Sequence, residues 1–278
     1  MNGIIVVNKP SGITSRDVVN YISRLFNMKK VGHNGTLDPL ASGVLVICLG
    51  RYTKLNSLLT SYEKEYIAKV KIGVETDSLD VTGRVLKQSD EKIDFDLLNE
   101  TFKSFPKNYL QEVPKYSAVK VNGKRLYEYA RENIEVELPK RKVEIKSLEL
   151  LDSTSDSFTF KTLVSKGTYI RSLIRDILYS MSLIGSMESL IRTKQGIFKI
   201  ENSYSLEDIE NDKYELLKIR DVLDIQTVKV DNLMKKKIVN GGFIYGDYED
   251  IVLFVDSSSE ELAIYKRCDN VYKPEVML

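Results

Sequence analysis

Apolar residues change their spacing several times along the first 80 residues, and each change predicts a different element. The run "GIIVVNK" is apolar almost throughout before a Pro-Ser-Gly turn, which is typical of a short buried strand. Thr14 and Asp17 resemble a capping box, and apolar residues at helical spacing follow it: Val18, Val19, Ile22, Leu25 and Phe26. "GVLVICLG", bounded by glycines, predicts a central strand. "KEYIAKVKIGV" alternates, and predicts a strand that places four residues on one face: Tyr66, Ala68, Val70 and Ile72.

A later stretch, "SFTFKTLVSKGTYIRSLIRDILYSM", switches period near Gly167. Its alternation predicts a strand before the glycine, and its helical spacing predicts a helix after it, with Thr168 as N-cap. Strands and helices therefore mix without a strict strand–helix–strand repeat. This mixture favours the α+β class over a doubly wound sheet.

The composition changes near Asp224. The acidic stretch 205–223 has a helical pattern, whereas 224–278 has the pattern of short strands separated by turn signals. We therefore expect two domains, a large one over 1–223 and a small all-β one over 224–278.

Overall composition is that of an ordinary globular protein. The chain has 278 residues, of which 42% are hydrophobic and 29% charged, enough to bury a full core. No apolar run approaches the ~18 residues that would span a membrane. The N-terminus lacks the basic flank and long apolar run of a signal peptide. A cytoplasmic protein without membrane association is expected.

Few residues are available for metal or nucleotide chemistry. His33 is the single histidine, and the two cysteines, Cys48 and Cys268, lie far apart in sequence. A zinc or iron site on nitrogen or sulfur ligands is therefore not expected. The glycine motifs of P-loop and dinucleotide-binding proteins do not occur in the sequence. The sequence predicts chemistry that needs neither metal nor cofactor.

Charge is segregated although the net charge is only +1. Residues 1–54 carry seven Lys and Arg against two Asp, and residues 101–142 carry ten against five Glu, a balance of +5 in each. Such segments fit basic faces that meet phosphates, but they fit lysine-rich solvated faces equally well.

One carboxylate is isolated in a glycine-rich stretch. Asp38 is the only charged residue between Lys30 and Arg51, and Gly35 and Gly43 flank it. Asp before Pro is common in turns, so a turn residue is one interpretation. The glycines would also let a ligand approach closely, which makes a reactive carboxylate the other.

Three further residues have equally ordinary interpretations when taken alone. Tyr66 could be a strand aromatic, Arg171 a solvated helical arginine, and His33 a turn histidine. Alternatively, Arg171 could pair with a buried carboxylate, and His33 could stack on or donate to a ligand.

Six stretches match one family in order and spacing: "NKPSGITS", "GHNGTLDPLASGVLVICLG", "KEYIAKVKIGVETDSLDVTG", "VPKYSAVKVNGKRLYEYAR", "SKGTYIRSLIRDI" and "LIRTKQGIF". They resemble the TruB family of tRNA pseudouridine synthases over about residues 3–200, and the G-x-L-D-P-x-A-x-G box is close to diagnostic. The chain has Gly185 and Ser186 where many members have Ala-His. Beyond about residue 225 the resemblance fades, where members carry a PUA-like or reduced RNA-binding domain.

The resemblance implies a fold and a reaction. The fold is the pseudouridine synthase fold, with a mixed, largely antiparallel central sheet flanked by helices, plus a small C-terminal β domain. The reaction isomerises a uridine in the T-arm of tRNA (position 55) to pseudouridine, without a cofactor or metal. Asp38 would be the catalytic carboxylate, either attacking C1′ or acting as a base toward elimination from C2′; both alternatives stay open.

The resemblance also implies roles for other residues. Arg171 would favour the charged form of Asp38, with Asp80 as a second partner that holds the guanidinium. Tyr66 would stack on the uracil and help to remove the C5 proton. The base must be flipped out of the T-loop to reach the acid. Four more residues would serve this state: Tyr169 and Leu190 line the uracil pocket, Lys9 supports its floor, and His33 enters the vacated space.

The implied partner is tRNA, bound as a T-arm stem-loop by a monomeric enzyme. Backbone and shape contacts from the basic segment 101–142 would select the stem-loop. Two alternatives remain, the first of them from another functional class. One is a tRNA-binding and folding factor without catalysis; the other is the catalytic subunit of a guide-RNA particle, whose larger C-terminal domain and basic extensions this sequence does not contain.

Overall fold

The protein is described by a computed structural model over residues 1–60 and 62–278. The strands in this part of the chain are β1 (Gly3–Lys9), β2 (Val31–Asn34), β3 (Ser42–Leu49), β4 (Lys64–Ile72), β5 (Val74–Thr76), β6 (Val85–Gln88), β7 (Asn108–Glu112), β8 (Lys120–Val121), β9 (Lys124–Arg125), β10 (Lys140–Ser153), β11 (Ser157–Val164), β12 (Gly185–Gln195), β13 (Phe198–Lys199), β14 (Gln226–Lys229), β15 (Ile251–Val255), β16 (Glu261–Cys268) and β17 (Val271–Met277).

The helices are mostly short. They are α1 (Ser15–Leu25), α2 (Asn56–Thr60), α3 (Phe95–Ser104), α4 (Leu126–Arg131), α5 (Ile170–Ser180), α6 (Leu206–Glu210), α7 (Ile219–Val222) and α8 (Asn232–Val239), with 3-10 turns at Gly50–Leu55 and Ile200–Asn202. No helix in the described ranges is long and apolar enough to cross a membrane.

A mixed sheet forms the centre of the molecule, in the order β1-β3-β12-β4-β11-β10-β7, with β2 added to β3 and β13 to β12. Its pairs are antiparallel except for β12 with β3. The apolar run of β3 is buried along nearly its whole length, and β4 buries alternate residues, as their patterns predict. The expected α+β architecture with a largely antiparallel sheet is confirmed.

The two faces of the sheet are covered by different parts of the chain. Helices α1 and α5 pack on one face and share its largest apolar cluster, which includes Val18, Ile47, Tyr66, Leu173 and Ile177. Each such side chain stabilises the fold by roughly 1.5–3 kcal/mol when fully buried. This helix-covered face is the one on which the candidate site is built.

The two helices begin differently. At α1 the predicted capping box is present, because the Asp17 N–H donates to Thr14 Oγ1 and the Thr14 N–H donates to Asp17 Oδ2. At α5 the predicted N-cap, Thr168, is wrong by one residue. Tyr169 occupies that position, and the Thr168 hydroxyl instead donates to the Ser165 carbonyl within the preceding turn.

The predictions for residues 205–278 need two corrections. The acidic stretch 205–223 is not one helix but the short helices α6 and α7, separated near Asp212, whose φ is +56°. Residues 224–278 form the predicted sheet, β14-β15-β16-β17, but they also contain α8. Of the four apolar residues in α8 only Ile238 is completely buried, so the helix has no wide apolar face of the kind that a helical pattern indicates.

The C-terminal sheet packs against the second face of the central sheet. Leu253, Val255 and Ile264 share one buried cluster with Val44 and Val46 of β3. The Tyr52 hydroxyl donates to the Glu261 carboxylate across the same boundary. This sheet therefore supports β3 from behind, while the boundary at residues 223 and 224 stays a prediction.

Candidate active site

Asp38 lies on the loop between β2 and β3, and α1 holds this loop at its base. The Leu37 N–H donates to Ser15 Oγ at 2.8 Å, and the Ser15 hydroxyl donates back to the Leu37 carbonyl at 3.0 Å. Ser15 is the first residue of α1, so the helix start and the residue before Asp38 are tied to each other. The loop that carries Asp38 is therefore anchored to the N-terminus of α1.

Two buried cations hold the ends and middle of the same loop. Arg192, 1% exposed, donates from Nε to the Val44 carbonyl at 2.6 Å and from Nη2 to the Gly35 carbonyl at 3.0 Å. Lys9 donates to Pro39 O at 3.4 Å and, more closely, to Ile13 O at 2.6 Å. Burial lowers the pKa of Lys9 to about 8, against the opposing effect of Asp38. Lys9 thus lies under the loop, and its support of the site stays a prediction.

Asp38 and Arg171 form a two-point ion pair. Arg171 Nε lies 2.9 Å from Asp38 Oδ2, and Nη2 donates to Oδ1 at 3.2 Å. The arginine side chain is 5% exposed, whereas that of the aspartate is 34% exposed. One side of the carboxylate is therefore fixed by the guanidinium and another is open to a substrate. A planar fork matches a carboxylate in this way because two parallel N–H groups meet its two oxygens.

Backbone carbonyls complete the arginine's partners. Arg171 Nη1 donates to Ser78 O at 2.8 Å, and Nη2 also donates to Tyr116 O at 2.9 Å. These contacts fix the plane of the guanidinium from two loops that are far apart in sequence. The Asp38–Arg171 geometry thus depends on the segment after β5 and on the segment after β7.

Asp80 does not hold the guanidinium, contrary to the expectation. Across the described residues it makes no ion pair with Arg171; its Oδ1 accepts from the Ser78 hydroxyl at 2.9 Å and the Thr82 N–H at 3.0 Å. A carboxylate followed by Thr two residues on readily closes such a local turn. Asp80 therefore contacts Arg171 only indirectly: it stabilises the turn whose Ser78 carbonyl accepts a hydrogen bond from Arg171.

Tyr66 and Leu190 lie in the apolar cluster next to this pair. They are 7% and 6% exposed, and the cluster also contains Leu37 and Ile170, the sequence neighbours of Asp38 and Arg171. Leu190 is opposite Ala68 in the β12–β4 pairing, so it lies diagonal to Tyr66 on the same face. Within the described part of the chain the Tyr66 hydroxyl has no hydrogen-bond partner.

Tyr169 is half-buried at the start of α5, two residues before Arg171. Its peptide groups are bonded to Gln111, a buried residue of β7 that the sequence did not single out. Arg192 and Ser15 were missed in the same way. Only the alternation of "LIRTK", which places Arg192 on the buried face with Leu190, could have drawn attention to one of them.

His33 lies in β2 opposite Ile47 and is half-buried. Burial first, and then the charges of Arg16 and Arg192, lower the pKa of its imidazole. Its Nδ1 is buried with no partner among the described atoms. His33 thus lies at the start of the Asp38 loop, in surroundings that favour its neutral form, and among the described residues it makes no hydrogen bond or ion pair with Asp38.

The basic segment 101–142 forms an exposed face beside the site. Lys115, Lys120 and Arg125 are exposed. Tyr127 carries the guanidinium groups of Arg125 and Arg131 at 5.9 and 5.3 Å from its ring centre. Since Tyr116 of this segment contacts Arg171, the basic face and the ion pair are structurally continuous.

Metal ligands do not gather anywhere in the ranges that the structure describes. No group of three or more His, Cys, Asp or Glu side chains there could hold an ion. The expectation of chemistry without a metal stays a prediction.

Comparisons with known proteins assign the chain to a family. The profile of the TruB family pseudouridylate synthase (N-terminal domain) matches residues 23–170. The tRNA pseudouridine synthase B of Caldanaerobacter subterraneus subsp. tengcongensis is 41% identical over 250 residues, which cover 89% of this chain and 88% of that protein. The chain belongs to the TruB family. It is a pseudouridine synthase, an isomerase, as its motifs predict.

Other TruB proteins match over similar lengths. The tRNA pseudouridine synthase B of Caldicellulosiruptor saccharolyticus is 39% identical over 282 residues, covering 98% of this chain and 97% of that one. The protein of the same name from Clostridium tetani is 43% identical over 245 residues, covering 87% and 85%.

Solved structures share the fold of this TruB protein. A Cbf5–Nop10–Gar1 complex matches with a TM-score of 0.71 at 23% identity, over 99% of this chain and 84% of the matched chain. The archaeal box H/ACA sRNP Nop10–Cbf5 complex matches with a TM-score of 0.70 at 22% identity, over 99% and 85%. The pseudouridine synthase fold, predicted from the motifs, is confirmed.

Proposed function

We propose that this TruB protein isomerises a uridine in the T-arm of tRNA, at position 55, to pseudouridine, with Asp38 as its catalytic carboxylate. The relatives are named tRNA pseudouridine synthase B, which supports tRNA uridine as the substrate. The observation that carries the catalytic assignment is the ion pair: Asp38 is held on one side by Arg171 and open on the other.

The reaction replaces one bond between sugar and base by another, and the base loses one proton and gains one. The C1′–N1 bond breaks, the uracil turns, and C5 bonds to C1′; C5 then loses its proton and N1 gains one. No atom is oxidised and no group leaves the RNA. An ionised Asp38 can attack C1′ as a glycosidase nucleophile does, or it can act as a base at C2′. Both routes need the anion, and two nitrogens of the Arg171 guanidinium lie 2.9 and 3.2 Å from the Asp38 oxygens.

The surrounding side chains suit a detached uracil. Tyr66 offers a ring for stacking and a hydroxyl without an internal partner, in a position to assist proton removal from C5. Leu190 and Tyr169 would close the pocket around the base. The apolar surroundings keep water away from C1′ while the uracil turns, which protects the sugar from hydrolysis.

A uridine stacked in a T-loop must be flipped outward to reach this pocket. A neutral His33 at the entrance could fill the space that the base leaves, without the cost of burying a charged ring. The basic face over 101–142 would grip phosphates of the stem. In this proposal the enzyme works as a monomer, in the cytoplasm, with Lys9 and Asp80 supporting the loops rather than contacting the base.

The test is to incubate the purified protein with an unmodified whole-tRNA transcript that has been folded beforehand and then treated with EDTA. We expect one uridine, in the T-arm, to become pseudouridine. Conversion at another position would reject the T-arm assignment, and conversion only after added divalent metal would reject metal-free chemistry.

A further inference from the structure

Strand β7 and helix α5 are joined by hydrogen bonds at the point where the helix begins. Gln111 of β7 is 1% exposed and contacts both peptide groups of Tyr169. Its Oε1 accepts from the Tyr169 N–H at 2.7 Å, and its Nε2 donates to the Tyr169 carbonyl at 3.1 Å. One side-chain amide therefore fixes the plane and the direction of the backbone at residue 169.

The orientation of the Gln111 amide is itself determined by a chain of partners. Its Nε2 also donates to the Tyr109 hydroxyl at 2.8 Å, and that hydroxyl donates to Asp176 Oδ2 at 3.0 Å. Since a carboxylate can only accept, the Tyr109 hydroxyl must direct its lone pairs toward Gln111. The amide nitrogen and oxygen are thereby assigned unambiguously, and a flipped amide would lose these bonds.

The residue held in this way lies between the pocket and the ion pair. Tyr169 is the N-cap of α5, and it has no side-chain cap of its own. Arg171 follows two residues later, within the first turn of the helix. A rotation at residue 169 would therefore move both the Tyr169 ring and the guanidinium that contacts Asp38. A misplacement of about 1 Å at a reacting group can cost ~100-fold in rate.

We propose that Gln111 is a positioning residue for the isomerisation, which holds the backbone of Tyr169 so that Tyr169 and Arg171 face the flipped uridine. This inference rests on the proposed function. It also joins two parts of the chain, because β7 leads directly into the segment whose Tyr116 carbonyl contacts Arg171. The basic RNA-facing segment and the catalytic ion pair are thus aligned through the same strand.

The variant Gln111→Met tests this role, because methionine keeps the volume of the side chain and removes all three hydrogen bonds. Single-turnover rate and tRNA affinity are measured on the full-length protein with a whole-tRNA transcript. We expect the rate at saturating enzyme to fall at least tenfold, while the dissociation constant changes less than threefold. A variant that is merely less stable would behave differently. At a temperature where it partly unfolds, both the rate and the affinity would fall, and at a temperature where it is fully folded, neither would change.

The matched control is Ser172→Ala. The Ser172 hydroxyl donates to the Glu112 carbonyl at 2.8 Å, so it joins the same strand to the same helix without contacting residue 169. Its rate should stay within twofold of the wild type. A Gln111→Met rate within twofold of the wild type would overturn the proposal, and so would an equal loss in both variants.

A second variant covers the case in which Gln111→Met does not fold. Tyr109→Phe leaves Gln111 in place and removes the hydroxyl that orients its amide, and we expect a rate at least threefold lower. An unchanged rate for this variant would contradict the proposal. Absence of pseudouridine from the wild-type protein would instead overturn the proposed function, so the two failures are distinguishable.

Discussion

At the residue scale, the site depends on unequal burial of two opposite charges. Arg171 is buried and held by the Ser78 and Tyr116 carbonyls, so it cannot turn away when a substrate arrives. Asp38 keeps one third of its side chain accessible. A guanidinium fixed in advance costs no reorganisation during the reaction, which is the condition under which electrostatic stabilisation is most effective.

Replacement of Arg171 by lysine tests this arrangement. A lysine keeps the charge but loses the planar fork that engages Asp38 and both carbonyls together. We expect the single-turnover rate to fall at least tenfold, about 1.4 kcal/mol in the barrier, with tRNA affinity nearly unchanged. Arg51→Lys is the control, since Arg51 forms a partly exposed ion pair with Glu260 rather than with Asp38 and should tolerate the change. Equal rates for the two variants would show that the fork is unimportant.

Lys9 gives a prediction for stability against pH. Burial lowers its pKa from 10.5 to about 8 in the folded protein. Below pH 8 both the folded and the unfolded state carry the proton, so the penalty of burying the charge is constant. Between about pH 8 and 10.5 the unfolded state binds more protons, so the free energy of unfolding should rise with pH relative to that of Lys9→Met. Urea denaturation at several pH values measures this difference.

Lys54→Met is the control for that series, because Lys54 is exposed. Its difference from the wild type should be independent of pH over the same range. A Lys9→Met difference that stays flat or falls above pH 8 would mean that Lys9 does not lose its proton early in the folded state.

A functional residue can be recognised from sequence when the motif that marks it is short and contiguous. Asp38, Tyr66 and Arg171 lie in compact motifs, and the structure pairs Asp38 with Arg171 as expected. Gln111 and Arg192 contact segments 58 or more positions away, so no local pattern could reveal these contacts, although the alternation of "LIRTK" marks Arg192 as buried. Asp80 was given the wrong contact because its motif indicates proximity to Arg171 but cannot distinguish a direct bond from a shared turn.

At the scale of elements, periodicity was a good guide wherever one face is buried. β3 and β4 match their patterns because β3 is buried on both faces of the sheet and β4 is buried on one. Helix α8 and the break between α6 and α7 were not predicted, since each of these short helices buries only one or two residues completely. Short helices on a surface are held mainly by capping side chains, as at Asp231 of α8.

The β3–β12 contact behind Asp38 makes a testable prediction about Gly43. Its φ is +98°, and a Cβ there would lie 2.3 Å from the Arg192 carbonyl oxygen. Gly43→Ala should therefore destabilise the protein more than Gly12→Ala, which has a similar φ of +94° but no atom within 4 Å. Gly12→Ala measures the backbone strain alone, of order 1–3 kcal/mol. Equal losses in thermal or urea denaturation would mean that β3 and β12 can separate without cost.

At the scale of the whole molecule, two surfaces support one loop. The C-terminal sheet packs behind β3, and the basic segment 101–142 contacts Arg171, the partner of Asp38, through the Tyr116 carbonyl. The α+β class and the C-terminal strands were predictable from composition and pattern. The packing of that sheet on β3 was not, because it joins residues about 200 positions apart.

The basic segment predicts a salt dependence of tRNA binding. Lys and Arg contacts to phosphate release counterions, so the logarithm of the affinity should fall linearly with the logarithm of the salt concentration. Changing both Lys120 and Arg125 to Gln should reduce that slope by about one to two. The control changes Lys92 and Lys213, exposed lysines outside the segment, to Gln. Identical slopes for both pairs would exclude the segment as the phosphate-binding face.

The central claim is that Asp38 performs the chemistry, and Asp38→Asn tests it most directly. The amide keeps the size and most of the hydrogen bonding of the carboxylate, but it can neither attack C1′ nor accept a proton. Single-turnover conversion of a T-arm uridine is measured beside tRNA affinity, with wild-type protein as reference. The expected result is pseudouridine from the wild type and no more than a trace from the variant, at affinities within several-fold. Conversion by the purified variant at a rate near that of the wild type would contradict the account.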